Sequence, residues 1–232
     1  MSKSKKGDKI SCIIRNPKFI GIFYEIESRG SDIFPPLLSQ SLSISKVHQA
    51  LHYADYMVPN TQVLFRRFYV QHLLKRYAEQ NILKVVIKQD RASMGMGIHP
   101  CWSLNELALA VIHVVKPPLV VQPMLENFRE FRLLIFGDTI VAKEKINSDI
   151  IFWNNRIFGG NTKLITPSKQ VVAFGKEMMR IGKFPWAYID LFVTDDHVFL
   201  SEINLSGSNA GLKEYNLNNL KRKMFEKWLA TK

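Results

Sequence analysis

Two carboxylates and an amide stand near the C-terminus, in segments that otherwise have the pattern of buried β-strands. Asp190 lies in the apolar run 186–193, while Glu202 and Asn204 lie in the run 197–204 that follows a polar turn. This pattern indicates a hairpin that sets Asp190 opposite Glu202, with Asn204 on the same face as Glu202. Opposed carboxylates with Cβ atoms about 5 Å apart repel unless a cation lies between them, and oxygen ligands suit magnesium. Taken alone, the pattern also fits a calcium site or a polar defect in a sheet.

The composition is that of a globular protein with a large excess of positive charge. The 232 residues suffice for one large domain or two small ones, and 47% of them are hydrophobic. The net charge of +12 favours anionic partners such as nucleotides, acidic peptides, nucleic acid or a membrane surface. Part of this charge lies in residues 1–9, which we expect to be a disordered basic tail, and part lies in the last helix. A solvated charged surface is the favoured interpretation of both.

The cysteines and the apolar runs narrow the compartment and the partner classes. Cys12 and Cys101 form neither a metal-binding pair nor a disulfide framework, which favours a reducing, cytoplasmic setting. No apolar segment of a signal peptide follows the basic N-terminus, and no apolar run reaches the roughly 20 residues that span a bilayer. Nucleic acid is disfavoured as a partner, because aromatic residues do not alternate with the basic clusters as a base-stacking surface requires.

The elements that would position the acidic residues are hairpins mixed with helices, without a series of βαβ units. This order predicts an α+β fold with mostly antiparallel sheet. In the first part of the chain we expect one or two strands within 10–27, helices over 45–56 and 67–80, a strand over 83–88 and a helix capped by Ser103. Further on we expect a strand over 119–122, a hairpin of 130–136 with 139–146, a helix from Thr166-Pro167 and a helix over 217–228.

A lysine at the end of an apolar strand is followed by a loop that is rich in glycine. Lys88 precedes Ser93, Gly95 and Gly97. Glycines let the backbone approach a ligand closely, successive N–H groups can bind an anion, and the ammonium group supplies a point charge for a phosphate. The segment therefore has the properties of a phosphate-holding flap, although a flexible surface hairpin explains the loop better when it is taken alone.

The strand that ends at Gln122 leads into a segment that can bind the edge of a nucleobase. Pro123 has no N–H but keeps its carbonyl, and Met124 and Leu125 supply N–H groups. A free carbonyl followed by a free N–H matches the edge of adenine, so residues 122–125 form a candidate hinge. An ordinary strand end with a proline is the favoured alternative without further context.

The hairpin 130–146 carries charges on one face of both strands. Glu130 and Arg132 share a face, as do Lys143 and Lys145, and pairing across the turn brings the two sets together. Basic groups beside a phosphate site would hold a transferring group and its developing negative charge. A structural ladder of salt bridges explains the spacing equally well.

The order of these motifs resembles the ATP-grasp superfamily. Along the chain they are Lys88 with its glycine loop, the hinge, Glu-x-Arg at 130–132, Asn-x3-Gly-Gly from Asn155, Asp190, and Glu-x-Asn at 202–204. The likeness is strongest to RimK-like carboxylate–amine ligases and runs from about residue 45 to the C-terminus. It implies the ATP-grasp fold, in which two α+β subdomains with mostly antiparallel sheets grip ATP. The loop at Asn155, by itself, is explained equally well by exposed turn chemistry.

The resemblance implies a role for each matching residue. Magnesium, expected as two ions with manganese as an alternative, would be bound by Asp190, Glu202 and Asn204. Arg132 and Lys145 would be the catalytic residues. ATP would be held by the remaining matches, which are Lys46, Lys88, Ser93, Gly95, Gly97, Gln122, Pro123, Met124, Leu125, Glu130 and Asn155.

The resemblance also implies a division of the chain, with some departures. Residues 10–45 would be a much shortened region before the grasp, 46–122 the small subdomain with the flap, and 123–232 the C-terminal subdomain. A second copy of the chain or a partner chain would supply what the short region lacks. Lys145 stands where Arg is commoner, Glu130 stands where Asp is usual, and residues 204–211 depart from the usual Asn-x-Ser-Pro-Gly near the acceptor.

The expected activity is that of an ATP-dependent ligase, with two alternatives. The ligase would activate a substrate carboxylate as an acylphosphate and join it to an amine, and neither substrate is identified beyond the suggestion of an acidic peptide. A kinase with a hydroxyl acceptor on the same scaffold is the first alternative. A non-catalytic ATP-binding module is the second, and the intact set of Asp190, Glu202 and Asn204 disfavours it.

Overall fold

The computed structural model describes residues 4–14, 16–92, 96–146, 161–208, 212 and 215–231. Its helices are α1 (Ile20–Ser28), α2 (Leu37–Ile44), α3 (Lys46–His52), α4 (Val70–Glu79), α5 (Leu104–Leu109), α6 (Lys169–Ile181) and α7 (Leu217–Leu229). Its strands are β1 (Lys9–Ser11), β2 (Asp32–Phe34), β3 (Gln62–Leu64), β4 (Val85–Gln89), β5 (Ile98–Cys101), β6 (Leu119–Pro123), β7 (Arg129–Phe136), β8 (Thr139–Ile146), β9 (Asn161–Ile165), β10 (Trp186–Val193) and β11 (Val198–Asn204).

The described strands form two antiparallel sheets and one short parallel pair. The large sheet has the order β11-β10-β7-β8-β9, the small sheet has the order β3-β6-β4-β5, and β1 pairs with β2. All neighbours within the two larger sheets are antiparallel. The predicted α+β class with mostly antiparallel sheet is therefore confirmed.

Turn chemistry fixes the two long hairpins of the large sheet. Gly137, at the tip of the β7–β8 hairpin, has a φ of +61°, a conformation that glycine adopts without strain. In the β10–β11 hairpin, Asp190 lies opposite Glu202 as predicted. Between that pair and the pair of Leu191 with Leu200 the register shifts by one residue, so Ser201 is the extra residue of a β-bulge.

Helix α6 covers the apolar face of the large sheet. Gly175 lies so close to the sheet that a Cβ atom there would stand 2.4 Å from Leu133 Cδ2 and 3.1 Å from Ile135 Cδ1. The start of this helix differs from the expectation: Ser168, rather than Thr166, is the N-cap, and its side chain accepts from the Val171 N–H. A serine next to the first turn satisfies one of the free N–H groups of the helix better than a residue further upstream.

The prediction that residues 10–27 form one or two strands is wrong for the second half of this segment. Residues 20–28 form α1, and β1 is the only strand among the described residues of this region. Ile20, Phe23 and Ile26 pack into a small core with Ile33 and its neighbours. Their spacing of three residues follows one helix face, a signal that the apolar character of the intervening residues concealed. Among the described residues, no helix combines the length and apolarity needed to cross a membrane.

Candidate active site

A row of charged side chains crosses four strands of the large sheet. The register places Lys143 opposite Arg132, Arg132 opposite Asp190, and Asp190 opposite Glu202. Directly opposed residues in antiparallel sheet point to the same face, so two cations and two carboxylates lie side by side. Side chains from motifs that are far apart along the chain thus form one continuous polar surface.

Asp190 is neutralised by side chains of the protein itself. Arg132 donates to both of its oxygens through Nε (2.6 Å) and a terminal nitrogen (2.7 Å), and Lys145 Nζ donates at 3.1 Å. Burial alone would raise the pKa of the Asp190 carboxyl, but Lys145 and Arg132 outweigh it and hold that pKa well below its usual range. Arg132 and Lys145 therefore offset the repulsion between Asp190 and Glu202 that the hairpin pattern predicts.

Lys145 joins the two acidic groups on its side of the sheet. Its ammonium group contacts the Glu130 carboxylate as well as Asp190. Burial lowers the pKa of Lys145, but the two neighbouring carboxylates raise it more, so the net pKa lies above its ordinary value. The salt-bridge ladder that the spacing allowed is present, and it lies beside the candidate metal ligands.

Lys46 connects Glu202 with the base of the glycine loop. Its Nζ donates to Glu202 Oε1 at 3.1 Å and to the Ala92 carbonyl at 2.7 Å. Lys46 is the first residue of α3, so the N-terminus of this helix lies between the two sheets. The expected approach of Lys46 to the phosphate site is consistent with this position.

Lys88 is buried, and it forms no close ion pair within the part of the chain that the structure describes. It is 5% exposed, its Nζ lies 3.4 Å from the carbonyl and hydroxyl oxygens of the bulge residue Ser201, and it lies 5.4 Å from the centre of the Phe192 ring. Burial lowers the pKa of this lysine to about 8, although Glu202 raises it in part. A buried ammonium with weak contacts is suited to bind an incoming anion.

The hinge contains a buried acceptor without a partner. Gln122 is 3% exposed, and its Oε1 has no hydrogen-bond partner among the described residues. The Met124 N–H donates to the Lys84 carbonyl at 3.0 Å, so it is already used within the protein. This leaves the Pro123 carbonyl and the Leu125 N–H as the backbone groups for a nucleobase edge. The orphaned oxygen of Gln122 fits the amino group of adenine, and this observation supports a nucleotide at the hinge.

Three of the predicted site residues, Ser93, Gly95 and Asn155, lie outside the described residues. Gly97 is described: its carbonyl accepts from the Gln89 N–H at 2.7 Å, and a Cβ atom there would stand 2.2 Å from Ala92 Cβ. Glycine is therefore required where the two arms of the loop meet.

The candidate metal ligands are two carboxylates and one amide. Asn204 is two residues from Glu202 on β11, and residues two apart on a strand share a face. Among the described residues, no group of three or more His, Cys, Asp or Glu side chains converges on one point. Because all donors of the set are oxygens, it fits magnesium better than a softer metal.

Asp90, which anchors α3 beside the site, could not be identified from the sequence pattern. Its Oδ1 accepts from Ser45 Oγ at 2.7 Å and from the Val47 N–H at 3.1 Å. Ser45 itself caps the helix by accepting from the His48 N–H. A local pattern reveals the Ser45 cap, but an acceptor from a distant strand end has no local signature.

Comparison with known proteins gives a family and a fold. Residues 44–228 match the family model of the RimK-like ATP-grasp domain. No curated protein sequence matches the chain significantly.

Three solved structures illustrate the fold. D-alanyl-alanine synthetase A from Vibrio cholerae O1 biovar eltor is 13% identical, with a TM-score of 0.70 over 97% of this chain and 77% of that chain. D-cycloserine synthetase DcsG is 13% identical, with a TM-score of 0.69 over 93% and 83%. The ATP-grasp ligase PsnB, complexed with its minimal precursor, Mg and ADP, is 14% identical, with a TM-score of 0.60 over 89% and 67%. The resemblance drawn from the order of the motifs is thereby confirmed, and the chain belongs to the RimK-like ATP-grasp family.

Proposed function

We propose that the protein is a magnesium- and ATP-dependent ligase that activates a substrate carboxylate as an acylphosphate and joins it to an amine. The observation that carries this proposal is the pair of cations, Arg132 and Lys145, that hold Asp190 beside Glu202. Preorganised cations beside a set of oxygen ligands suit a reaction in which negative charge moves between phosphate and acyl oxygens.

The nucleotide would lie between the two sheets, with its phosphates at Lys88 and Lys46. Both ammonium groups are near Glu202 or the bulge residue beside it, and each would supply a point charge for phosphate oxygens. Adenine would contact Gln122 Oε1, the Pro123 carbonyl and the Leu125 N–H at the hinge. The similar ligase PsnB was solved in complex with Mg and ADP, which supports a nucleotide and magnesium as ligands.

Asp190, Glu202 and Asn204 would bind magnesium, which in such sites orients the phosphates and neutralises their charge. The Asp190 carboxylate accepts hydrogen bonds from Arg132 and Lys145. Arg132 and Lys145 would keep the Asp190 carboxylate in position for such an ion. Their remaining N–H groups would bind anionic substrate oxygens.

The proposed reaction consists of two transfers. An oxygen of the substrate carboxylate attacks the γ-phosphorus, and the bond from that phosphorus to the oxygen of ADP breaks. The nitrogen of the amine then attacks the acyl carbon, the bond from this carbon to the phosphate oxygen breaks, and the nitrogen loses a proton. Arg132 and Lys145 would stabilise the acylphosphate and the oxyanion of the second step.

The carboxylate substrate is proposed to be an acidic peptide or a similar polyanion. The net charge of +12 favours the approach of an anionic substrate. Two similar proteins, the ligase PsnB and the macrocyclase MdnC, were solved with precursor peptides, which supports a peptide as the acceptor.

Trapping of the acylphosphate tests the proposal. The protein is incubated with Mg-ATP, hydroxylamine and pooled amino acids or acidic peptides, and both ADP and hydroxamate are measured. We expect both products with the wild type and neither with Glu202→Gln. The matched control is Glu144→Gln, which removes a carboxylate from an exposed ion pair with Arg129 and should retain activity.

Other outcomes would contradict the ligase assignment. Equal ADP release by the wild type and Glu202→Gln would show that the site is wrong. A stable phosphoester without hydroxamate would indicate the kinase alternative. Magnesium-dependent ATP binding without ADP release, over the whole substrate pool, would indicate the non-catalytic module.

A further inference from the structure

Strand β11, which carries two of the three candidate metal ligands, is the outer strand of the large sheet. An outer strand has backbone N–H and C=O groups on its free edge that no neighbouring strand satisfies. Ile203, between Glu202 and Asn204, presents such groups on the edge away from β10. The position of this edge therefore depends on what covers it.

Side chains from α2 and α3 take the place of the missing strand. Gln49 Oε1 accepts from the Ile203 N–H at 3.0 Å, and Gln49 Nε2 donates to the Ile203 carbonyl at 2.9 Å. The same Nε2 donates to the Leu42 carbonyl at 2.7 Å. Ser43 Oγ accepts from the Leu205 N–H at 2.9 Å. These contacts hold the backbone on both sides of Asn204.

The buried side chain of Gln49 connects α3 rigidly to β11. The side chain is 2% exposed, so its three bonds form in a region without competing water and are stronger there than at the surface. Lys46, three residues earlier on α3, holds the Glu202 side chain. One helix thus fixes both the side chain of a candidate ligand and the backbone that follows it.

We propose that Gln49 is a positioning residue for the metal site, which sets where Glu202 and Asn204 present their oxygens. The proposal rests on the proposed magnesium-ATP function for the identity of the ion. Removal of a group that does not touch the metal but orients its ligands lowers metal affinity by about 10- to 100-fold. A role that is only structural would destabilise the fold without this selective effect.

A pair of matched substitutions tests the proposal. Gln49→Met removes the amide while keeping a side chain of similar length. Gln40→Met is the control: Gln40 is 1% exposed, accepts from the Ile14 N–H at 2.8 Å and donates to the Pro35 carbonyl at 2.7 Å, but has no hydrogen bond to a site residue that the structure describes. Two calorimetric titrations are made with each protein. In the first, Mg²⁺ is added to the protein in the presence of a non-hydrolysable ATP analogue. In the second, the analogue is added to the protein without metal.

We expect the half-saturating Mg²⁺ concentration of Gln49→Met to rise at least about tenfold, with binding of the metal-free analogue unchanged. Gln40→Met should titrate like the wild type. An equal rise in both variants, or no rise in Gln49→Met, would overturn the proposal. Absence of Mg²⁺-dependent binding in the wild type would instead count against the proposed function.

Hydrogen exchange of the free protein tests the connection without nucleotide or metal. The Ile203 amide should lose protection in Gln49→Met and keep it in Gln40→Met; retained protection in Gln49→Met would overturn the proposal. If Gln49→Met does not fold, Ser43→Ala is used in its place to test whether support of the β11 edge affects metal binding. This substitution removes only the hydrogen bond from the Leu205 N–H. It should raise the half-saturating Mg²⁺ concentration, whereas Ser39→Ala, which removes only a bond to the Pro36 carbonyl, should not. An unchanged value for Ser43→Ala would overturn the proposal.

Discussion

At the scale of single residues, the candidate site is organised around the charge of Asp190. Its carboxylate accepts two parallel hydrogen bonds from the Arg132 fork and one from Lys145. Asp190 raises the pKa of the Arg132 guanidinium, which outweighs the effect of burial. A planar, bidentate contact of this kind fixes direction as well as charge, so arginine and lysine are not equivalent at position 132.

Arg132→Lys should therefore impair catalysis although it keeps the positive charge. Loss of one preorganised donor at a site of developing negative charge lowers turnover by about 100-fold or more. The rate of ADP formation under saturating Mg-ATP measures this. Arg129→Lys is the matched control, since Arg129 makes a similar fork to Glu144, with distances of 2.6 and 2.7 Å, on the exposed part of the same strand. Exposed ion pairs contribute little, so a comparable loss in Arg129→Lys would contradict the role of Arg132.

Because of Lys88, the affinity for a nucleotide should fall with rising pH while the free energy of unfolding should rise. Its pKa is about 8 in the folded protein, against an ordinary value of 10.5, so between these values the unfolded chain binds more protons than the folded one. The free energy of unfolding should therefore rise with pH across this window. Affinity for a phosphate needs the ammonium form and should fall by about tenfold per pH unit above pH 8. Titrations of ADP binding and denaturant unfolding between pH 7 and 10 measure the two trends, and both should be absent in Lys88→Met.

At the scale of secondary-structure elements, the two faces of the large sheet differ. Helix α6 packs on one face, and the row of charged side chains lies on the other. Gly175 allows α6 to approach Leu133 and Ile135 closely, and these two residues alternate along β7 with Arg132 and Leu134. The depth at which α6 packs thus sets the position of the strand that carries Arg132. Alternation along one strand couples the packing of the core to the geometry of the site.

Gly175→Ala should force α6 away from the sheet. The added Cβ atom would stand 2.4 Å from Leu133 Cδ2, and overpacking of this kind costs about 1–3 kcal/mol. Thermal and urea unfolding measure the loss. Gly21→Ala is the control on another helix, because no atom lies within 4 Å of the Cβ position there; its stability should be unchanged or higher by less than about 1 kcal/mol. Equal effects of the two substitutions would contradict close packing at Gly175.

The elements whose signals are local could be predicted from the sequence. The hairpins, the Ser103 cap, which accepts from the Glu106 N–H, and the terminal helix follow from turn residues, capping side chains and periodicity. Helix α1 was missed because its apolar residues do not stand out from their neighbours, and only packing against Ile33 and Leu37 selects one face. The domain boundaries at residues 46 and 123 stay predictions.

At the scale of the whole molecule, the two ends of the chain are joined. The Lys9 ammonium donates to the carbonyls of Trp228 and Leu229 at 3.0 and 2.9 Å and also to that of Thr231. The Trp228 indole donates to Asp32 Oδ2 at 2.7 Å and stacks on Phe34. A cation at the C-terminus of α7 interacts favourably with the helix dipole and donates to carbonyls that have no partner within the helix.

Lys9→Met should loosen this junction. Loss of a cation at a helix C-terminus costs about 0.3–1 kcal/mol, which corresponds to a fall in Tm of about 1–4 °C for a chain of this size. Lys5→Met is a charge-matched control, because Lys5 contributes its backbone N–H to Asp8. Differential scanning calorimetry at low salt compares the variants, and an equal fall in both would assign the effect to net charge rather than to α7.

By itself, the sequence determined the order of the motifs, the turn that pairs Asp190 with Glu202, and the family to which these point. Each single motif and the turn depend on residues that are close along the chain, where spacing and turn geometry leave few alternatives, and the order of the motifs follows directly from the sequence. The tertiary structure decided which cations neutralise Asp190, that Lys46 reaches Glu202, and that Gln49 holds Ile203. These partners lie 45 to 156 residues apart, and only the packing of α3 and the pairing of β7, β8 and β10 brings them into contact.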